Sequence, residues 1–243
     1  FEAAGITVLT GARATEVRRP GDEVTLVLED GRELVADELL VATGRTPTTG
    51  SLGLETVGLE PGKYVTVDDS MLALGDWLYA VGDVTGRNLL THMGKYQARV
   101  AGDVIAARAT GKPDDRPGLR ASADDAWVPQ VVFTFPQVCS VGLTAAAASD
   151  RGLNTRVVEY DIAKVAGAAL LADDYQGHAT LVIDEDRKIV IGATFVGPDV
   201  AELLHSATIA VAGEVPLDRL WHAVPSFPTV SEIWLRLLEE YGL

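Results

Sequence analysis

Near the end of the chain, Phe227-Pro228-Thr229-Val230-Ser231-Glu232 brings a carboxylate and two hydroxyls together, the residue types of an acid/base site. General acid/base catalysis is worth about 10²–10⁴ in rate and needs a side chain that can take and return a proton. Phe227, at the head of the segment, has no titratable group. Thr229 and Glu232 also carry a structural reading, because a Thr at the N-cap and a Glu three residues on form a capping box worth about 1 kcal/mol. The helix it would start, over about 229 to 241, places Trp234, Leu237, Leu238 and Tyr241 on one apolar face.

Asp83 follows the apolar run Leu78–Val81 and Gly82, which puts a carboxylate at the carboxyl end of a predicted strand, where α/β folds bind ligands. Its two acceptor oxygens suit the hydroxyls of a sugar-like chain. A turn-forming Asp is an equal reading. A helix is predicted from about Thr91 to Ala109, and its first N–H groups offer a partial positive charge to an electron-rich group in front of them. Thr91 as a plain helix cap is the alternative. His92, His178, His205 and His222 have no ligand spacing, so no metal site is expected. The acids at 184 to 187 read as a solvated turn. Cys139, the one cysteine, lies in an apolar run and reads as a buried thiol.

The elements that position these groups fall into two kinds. In the first fifty residues "ITVL" is a β-branched run, and the stretch from Glu23 to Gly44 alternates around Asp30-Gly31, a two-residue hairpin signal. Gly- and Pro-punctuated loops, the short strand and the helix at Thr91 follow. A stretch rich in Gly, Pro and Asp near 112 to 125 reads as a domain boundary. Beyond it come a strand "QVVFTF", an alanine-rich helix after Thr144, an antiparallel hairpin over 178 to 197 and helices at about 199 to 213 and 229 to 241. The last unit is α+β.

With 243 residues, 47% of them hydrophobic, the chain can bury one or two cores. Twenty basic against thirty-five acidic residues give a net charge of −15, which repels nucleic acid and anionic membrane. No apolar run approaches the ~20 residues of a membrane span. The chain opens on Phe1 and not Met, the expectation for a piece of a longer protein.

In order, these segments resemble the pyridine nucleotide–disulfide oxidoreductases, the group of dihydrolipoamide dehydrogenase, glutathione reductase and mercuric reductase. "ATGRTP" at 42 to 47, with Gly44, looks like the return from the NAD(P) domain to the FAD domain. "YAVGDVTG" at 79 to 86, with Gly82 and Asp83, looks like the second FAD motif, whose Asp holds the ribityl chain. "LLTHMGKYQARVAG" at 89 to 102 is similar to the helix whose amino end, here Leu90, Thr91 and His92, faces the flavin pyrimidine. "PQVVFTFPQVCSVGLT" and "ATFVGPDVAELLH" look like the opening and centre of the dimerisation domain.

The resemblance implies an α/β and α+β chain: the tails of NAD(P)-binding (1–48) and FAD-binding (49–115) Rossmann-like domains, then a dimerisation domain (126–243) with an antiparallel sheet. It implies FAD and NAD(P)H as cofactors, a homodimer through 126–243, a cytoplasmic location and hydride transfer through the flavin to a small acceptor such as a quinone. Such enzymes are roughly twice as long, and no GxGxxG motif is present here, so the chain is expected to be the C-terminal half. Disulfide-reducing members end in His-Pro-Thr-x-Ser-Glu, where the His shuttles protons and the Glu orients it; Phe227 replaces that His and Glu232 remains. The alternatives are a non-catalytic dimerisation module and a mercuric reductase-like enzyme, the latter without the family's C-terminal vicinal cysteines.

Overall fold

A computed structural model describes residues 1–113 and 116–243. The chain divides into two compact units, Phe1–Thr46 and Pro47–Leu243. Of the predicted boundary near 112 to 125, residues 114 and 115 lie outside the described residues.

The first unit is an antiparallel meander of β1 (Ala14–Arg18), β2 (Val24–Leu28) and β3 (Glu33–Ala36), with β2 in the middle. Val24 and Leu28 are its buried anchors. The predicted hairpin forms with a longer turn than the Asp30-Gly31 pair indicates: the Gly31 N–H donates to the Leu28 carbonyl and the Leu28 N–H to the Arg32 carbonyl, each at 2.9 Å. Three residues therefore bridge the strands, with Gly31 at φ 84°, the left-handed conformation that such turns demand. "ITVL" and "ELLVATG" do not become strands. Their β propensity finds no neighbouring strand among the described residues, and a strand without a ladder has nothing to hold it.

The second unit begins with a two-stranded ribbon of β4 (Leu72–Leu74) and β5 (Leu78–Tyr79), then a 3₁₀ turn at Gly82–Thr85 and the long helix α1 (Thr91–Ala109). Met71, Val100, Val104 and Ala107 form its smaller core. The following connector is not a plain linker: Leu119 and Ala121 are buried in that same core, and the short helix α2 (Ala123–Ala126) follows directly.

The larger core belongs to a five-stranded antiparallel sheet in the order β6-β7-β10-β9-β8. Its strands are β6 (Gln130–Val132), β7 (Gln137–Gly142), β8 (Thr155–Asp161), β9 (His178–Asp184) and β10 (Ile189–Gly197). The predicted strand "QVVFTF" stops at Val132, where the chain turns toward Pro136 and Phe133 and Phe135 become exposed. Alternation puts Cys139, Val141, Leu181, Ile183 and Phe195 on one face, as a half-buried sheet requires. A bulge at Val190–Gly192 resets the register, so Val190 and Ala193 share that face. The helices are α3 (Ala145–Asp150), α4 (Ala166–Leu171), α5 (Leu204–Ala212), α6 (Leu217–Leu220) and α7 (Ile233–Tyr241). Residues of α5 and α7 complete the large core, while Ala148 of α3 packs with Val182 and Ile191 on the opposite face. Asp184 is buried at the head of the β9–β10 turn, where its Oδ1 accepts from the Asp186 and Arg187 N–H groups at 3.0 Å each.

Candidate functional site

The strand-turn-helix predicted around Asp83 forms, and its geometry rests on two glycines. Gly82 takes φ 77°, and Gly94, one turn into α1, lies against it. A Cβ on Gly94 would sit 3.1 Å from the Gly82 Cα. That is tighter than ordinary contact, so the approach favours glycine at 94, while at Gly82 it is the left-handed φ that favours glycine. The turn is closed by the Thr85 hydroxyl, donating to the Gly82 carbonyl at 2.9 Å, and by the Gly86 N–H, donating to the Asp83 carbonyl at 3.1 Å.

Asp83, Thr91 and His92 are exposed, and Gly82 and Leu90 are half-buried. Leu90 is the N-cap of α1 in extended conformation and makes no side-chain capping bond. Thr91 is thus the first helical residue and not the cap: its backbone is already helical, and a capping side chain must come from the extended residue before it. The first N–H groups of α1 consequently have no side-chain cap. The His92 Nε2 lies 2.8 Å from the Pro129 carbonyl; a carbonyl only accepts, so Nε2 carries the proton. Gly44 lies in the other unit, exposed, at φ 137°.

At the C-terminal segment Phe227 is 77% exposed. The capping box does not form. The Thr229 hydroxyl donates back to the Ser226 carbonyl at 2.7 Å, residues Val230–Glu232 make a 3₁₀ turn, and α7 starts only at Ile233. The physical reason lies in Glu232, whose Oε1 is held by the Arg236 guanidinium at 2.5 Å, one helical turn on, and so cannot reach back to a cap N–H. Glu232 is nevertheless buried, and its Oε2 has no hydrogen-bond partner. The segment is pinned by Gly167 of α4, where a Cβ would fall 2.1 Å from the Thr229 carbonyl carbon.

Cys139 is buried, as its apolar run indicates. It is 1% exposed, its thiol donates to the Val200 carbonyl at 3.3 Å, and burial pushes its pKa up to about 11. No group of three or more His, Cys, Asp or Glu residues is placed to hold a metal ion among the described residues.

The sequence reading missed a polar cluster behind the Asp83 turn. Gln97, fully buried, accepts the Gly82 N–H on Oε1 at 2.7 Å and donates through Nε2 to both Asp124 oxygens at 3.0 and 3.2 Å. The Arg87 Nε pairs with Asp124 at 3.1 Å. Burial raises the Asp124 pKa, with the Arg87 charge acting against it. One signal was available: Gln97 interrupts the stripe Met93, Val100, Val104, where an apolar residue is expected.

Residues 1–109 match the model described as "Pyridine nucleotide-disulphide oxidoreductase", and 128–237 match that of its dimerisation domain. The dihydrolipoyl dehydrogenase of Chlamydia muridarum is 29% identical over 96% of this chain and 48% of its own length. That of Mycobacterium leprae is 33% identical over 96% and 49%. The crystal structure of LpdA from Mycobacterium tuberculosis has a TM-score of 0.81 at 26% identity, covering 100% of this chain and 51% of that one. The chain spans about half the length of the curated relatives it matches. FAD and NAD(P)H are the cofactors of the family so described. Two family models in the order the sequence motifs require leave little of the chain unmatched, and the chain belongs to the pyridine nucleotide–disulphide oxidoreductase family.

Proposed function

We propose that the chain supplies the second half of a flavin site, and the dimerisation domain beside it, to an FAD-dependent NAD(P)H oxidoreductase whose acceptor is a small molecule such as a quinone and not a disulfide. On this reading residues 1–48 end a nucleotide-binding domain, 49–115 end the FAD domain and 126–243 form the homodimer, in the cytoplasm. The observation that carries it is the Gly82–Asp83 turn packed onto the uncapped start of α1. The residues fit half of such a cofactor. Asp83 offers acceptor oxygens to ribityl hydroxyls, and the first N–H groups of α1 offer partial positive charge to the pyrimidine edge. Nothing in the chain offers a glycine-rich cradle for the pyrophosphate, so activity needs residues beyond these 243.

A flavin held by Asp83 and the first N–H groups of α1 would supply hydride and electron transfer between the nicotinamide and the acceptor. This chain's share is placement: Gly82 and Gly94 bring the turn against the helix, and Asp83 holds the cofactor's chain. Phe227 neither takes nor returns a proton, and Glu232 is committed to Arg236, so no acid/base pair of the disulfide-reducing kind is built. With the one thiol buried, disulfide exchange has no partner in this chain.

With FAD bound, the full-length protein carrying this chain is expected to oxidise NADH or NADPH with a benzoquinone acceptor and to leave lipoamide and glutathione disulfide essentially unreduced. Disulfide turnover comparable with quinone turnover would overturn the acceptor assignment. A second reading, in which these residues alone form a non-catalytic dimerisation module, is favoured by the missing pyrophosphate cradle.

A further inference from the structure

The connector between α1 and the sheet is the part of the second unit whose role neither the fold nor the family explains. Its residues 119 to 124 pack along α1. The Ala121 N–H donates to the Asp69 carbonyl at 2.8 Å, and the Tyr96 hydroxyl donates to the Arg120 carbonyl at 3.2 Å. Its Asp124 ends in the buried cluster behind the Asp83 turn, with its side chain only 1% exposed. Gln97 links that carboxylate directly to the Gly82 backbone, and its two ends have opposite chemistry: Oε1 must accept from the Gly82 N–H and Nε2 must donate to Asp124. An ionised carboxylate accepts only, so it fixes which way round the amide sits, and the amide in turn fixes the Gly82 N–H. The cluster thus holds the Gly82 N–H, next to Asp83 in the turn.

We propose that Gln97 and Asp124 are positioning residues for the cofactor: the connector, through the Gln97 amide, sets the orientation of the Gly82–Asp83 turn and thereby the affinity of the site for FAD. The proposal rests on the flavin reading above and adds to it residues that touch no cofactor.

Gln97→Met keeps the volume and removes both hydrogen bonds. Gln97→Glu combined with Asp124→Asn keeps an acceptor for the Gly82 N–H and rebuilds the second bond with reversed polarity. Two quantities are read on the full-length protein: hydrogen exchange at the Gly82 amide without cofactor, and FAD affinity by quenching of flavin fluorescence. Gln97→Met is expected to speed Gly82 exchange by about tenfold or more and to weaken FAD by about tenfold, the scale of one lost buried hydrogen bond. The double variant is expected to return both toward wild type, which a simple loss of packing would not allow. Unchanged Gly82 exchange in Gln97→Met overturns the clamp. Faster exchange with unchanged FAD affinity overturns its link to the cofactor. A wild-type protein that binds no FAD at all overturns the flavin reading itself, and the exchange result then decides the clamp alone.

Discussion

At the scale of single residues, several of the groups that could do chemistry are committed to structure. Glu232 is committed. Its buried carboxylate depends on Arg236, so Arg236→Ala strands a charge, and breaking such a pair costs about 3–5 kcal/mol when fully buried and less at this partly exposed site. A drop in melting temperature larger than for Arg236→Lys is the expected reading. Cys139 is committed too. Its folded pKa of about 11 lies above the ordinary 9.0, so the unfolded chain loses its thiol proton first as pH rises. Stability is fully present below pH 9 and declines between 9 and 11, by about 3 kcal/mol in all. Urea midpoints of wild type and Cys139→Ala compared across that range check this; equal slopes for both proteins would contradict it. The buried cysteine was legible because its neighbours are apolar. The fate of Thr229 and Glu232 was not: the spacing of a capping box is also the spacing at which an Arg four residues further on captures the Glu, and only the folded geometry decides between them.

At the scale of elements, close backbone approaches do the positioning. Gly167 lets α4 lie on the Thr229–Val230 backbone, and a Cβ there would fall inside the contact distance of main-chain atoms that cannot swing away. Gly167→Ala is therefore expected to destabilise by several kcal/mol in chemical denaturation, although Ala is the better helix former. A neutral outcome would mean that α4 and the C-terminal segment are not packed as described. Periodicity made the elements with a strong pattern readable: α1 begins and ends where its sequence indicates, at Thr91 and Ala109, and the β9–β10 hairpin follows its two apolar runs. "ITVL" misled because β propensity names a residue's fitness for a ladder without supplying the neighbouring strand. The edge strand β8 escaped notice because Thr155–Asp161 is charged on its exposed side and lacks a continuous apolar run. The Gln97–Asp124 contact was hidden for a different reason: the two residues lie 27 positions apart, a separation no local pattern reports.

At the scale of the whole molecule, the second unit presents apolar side chains that its own core does not use. Ile209 on α5, Trp221, Val224 and Phe227 are all exposed, within the residues matched to a dimerisation domain. Exposed apolar patches mark interaction surfaces, and a two-fold partner would cover these side chains. Sedimentation at micromolar concentration is expected to give a dimer, and Ile209→Asp a monomer of unchanged circular dichroism. A wild-type monomer would remove the homodimer from the account.

The central claim is that the Gly82–Asp83 turn on the start of α1 is half of a flavin site. Its most direct test is FAD affinity of the full-length protein with and without Asp83→Ala, measured by flavin fluorescence at fixed salt. Loss of a carboxylate that accepts ribityl hydroxyls should weaken FAD by about tenfold to a hundredfold, the range of a charged hydrogen bond. Equal affinity in the two proteins would contradict the claim.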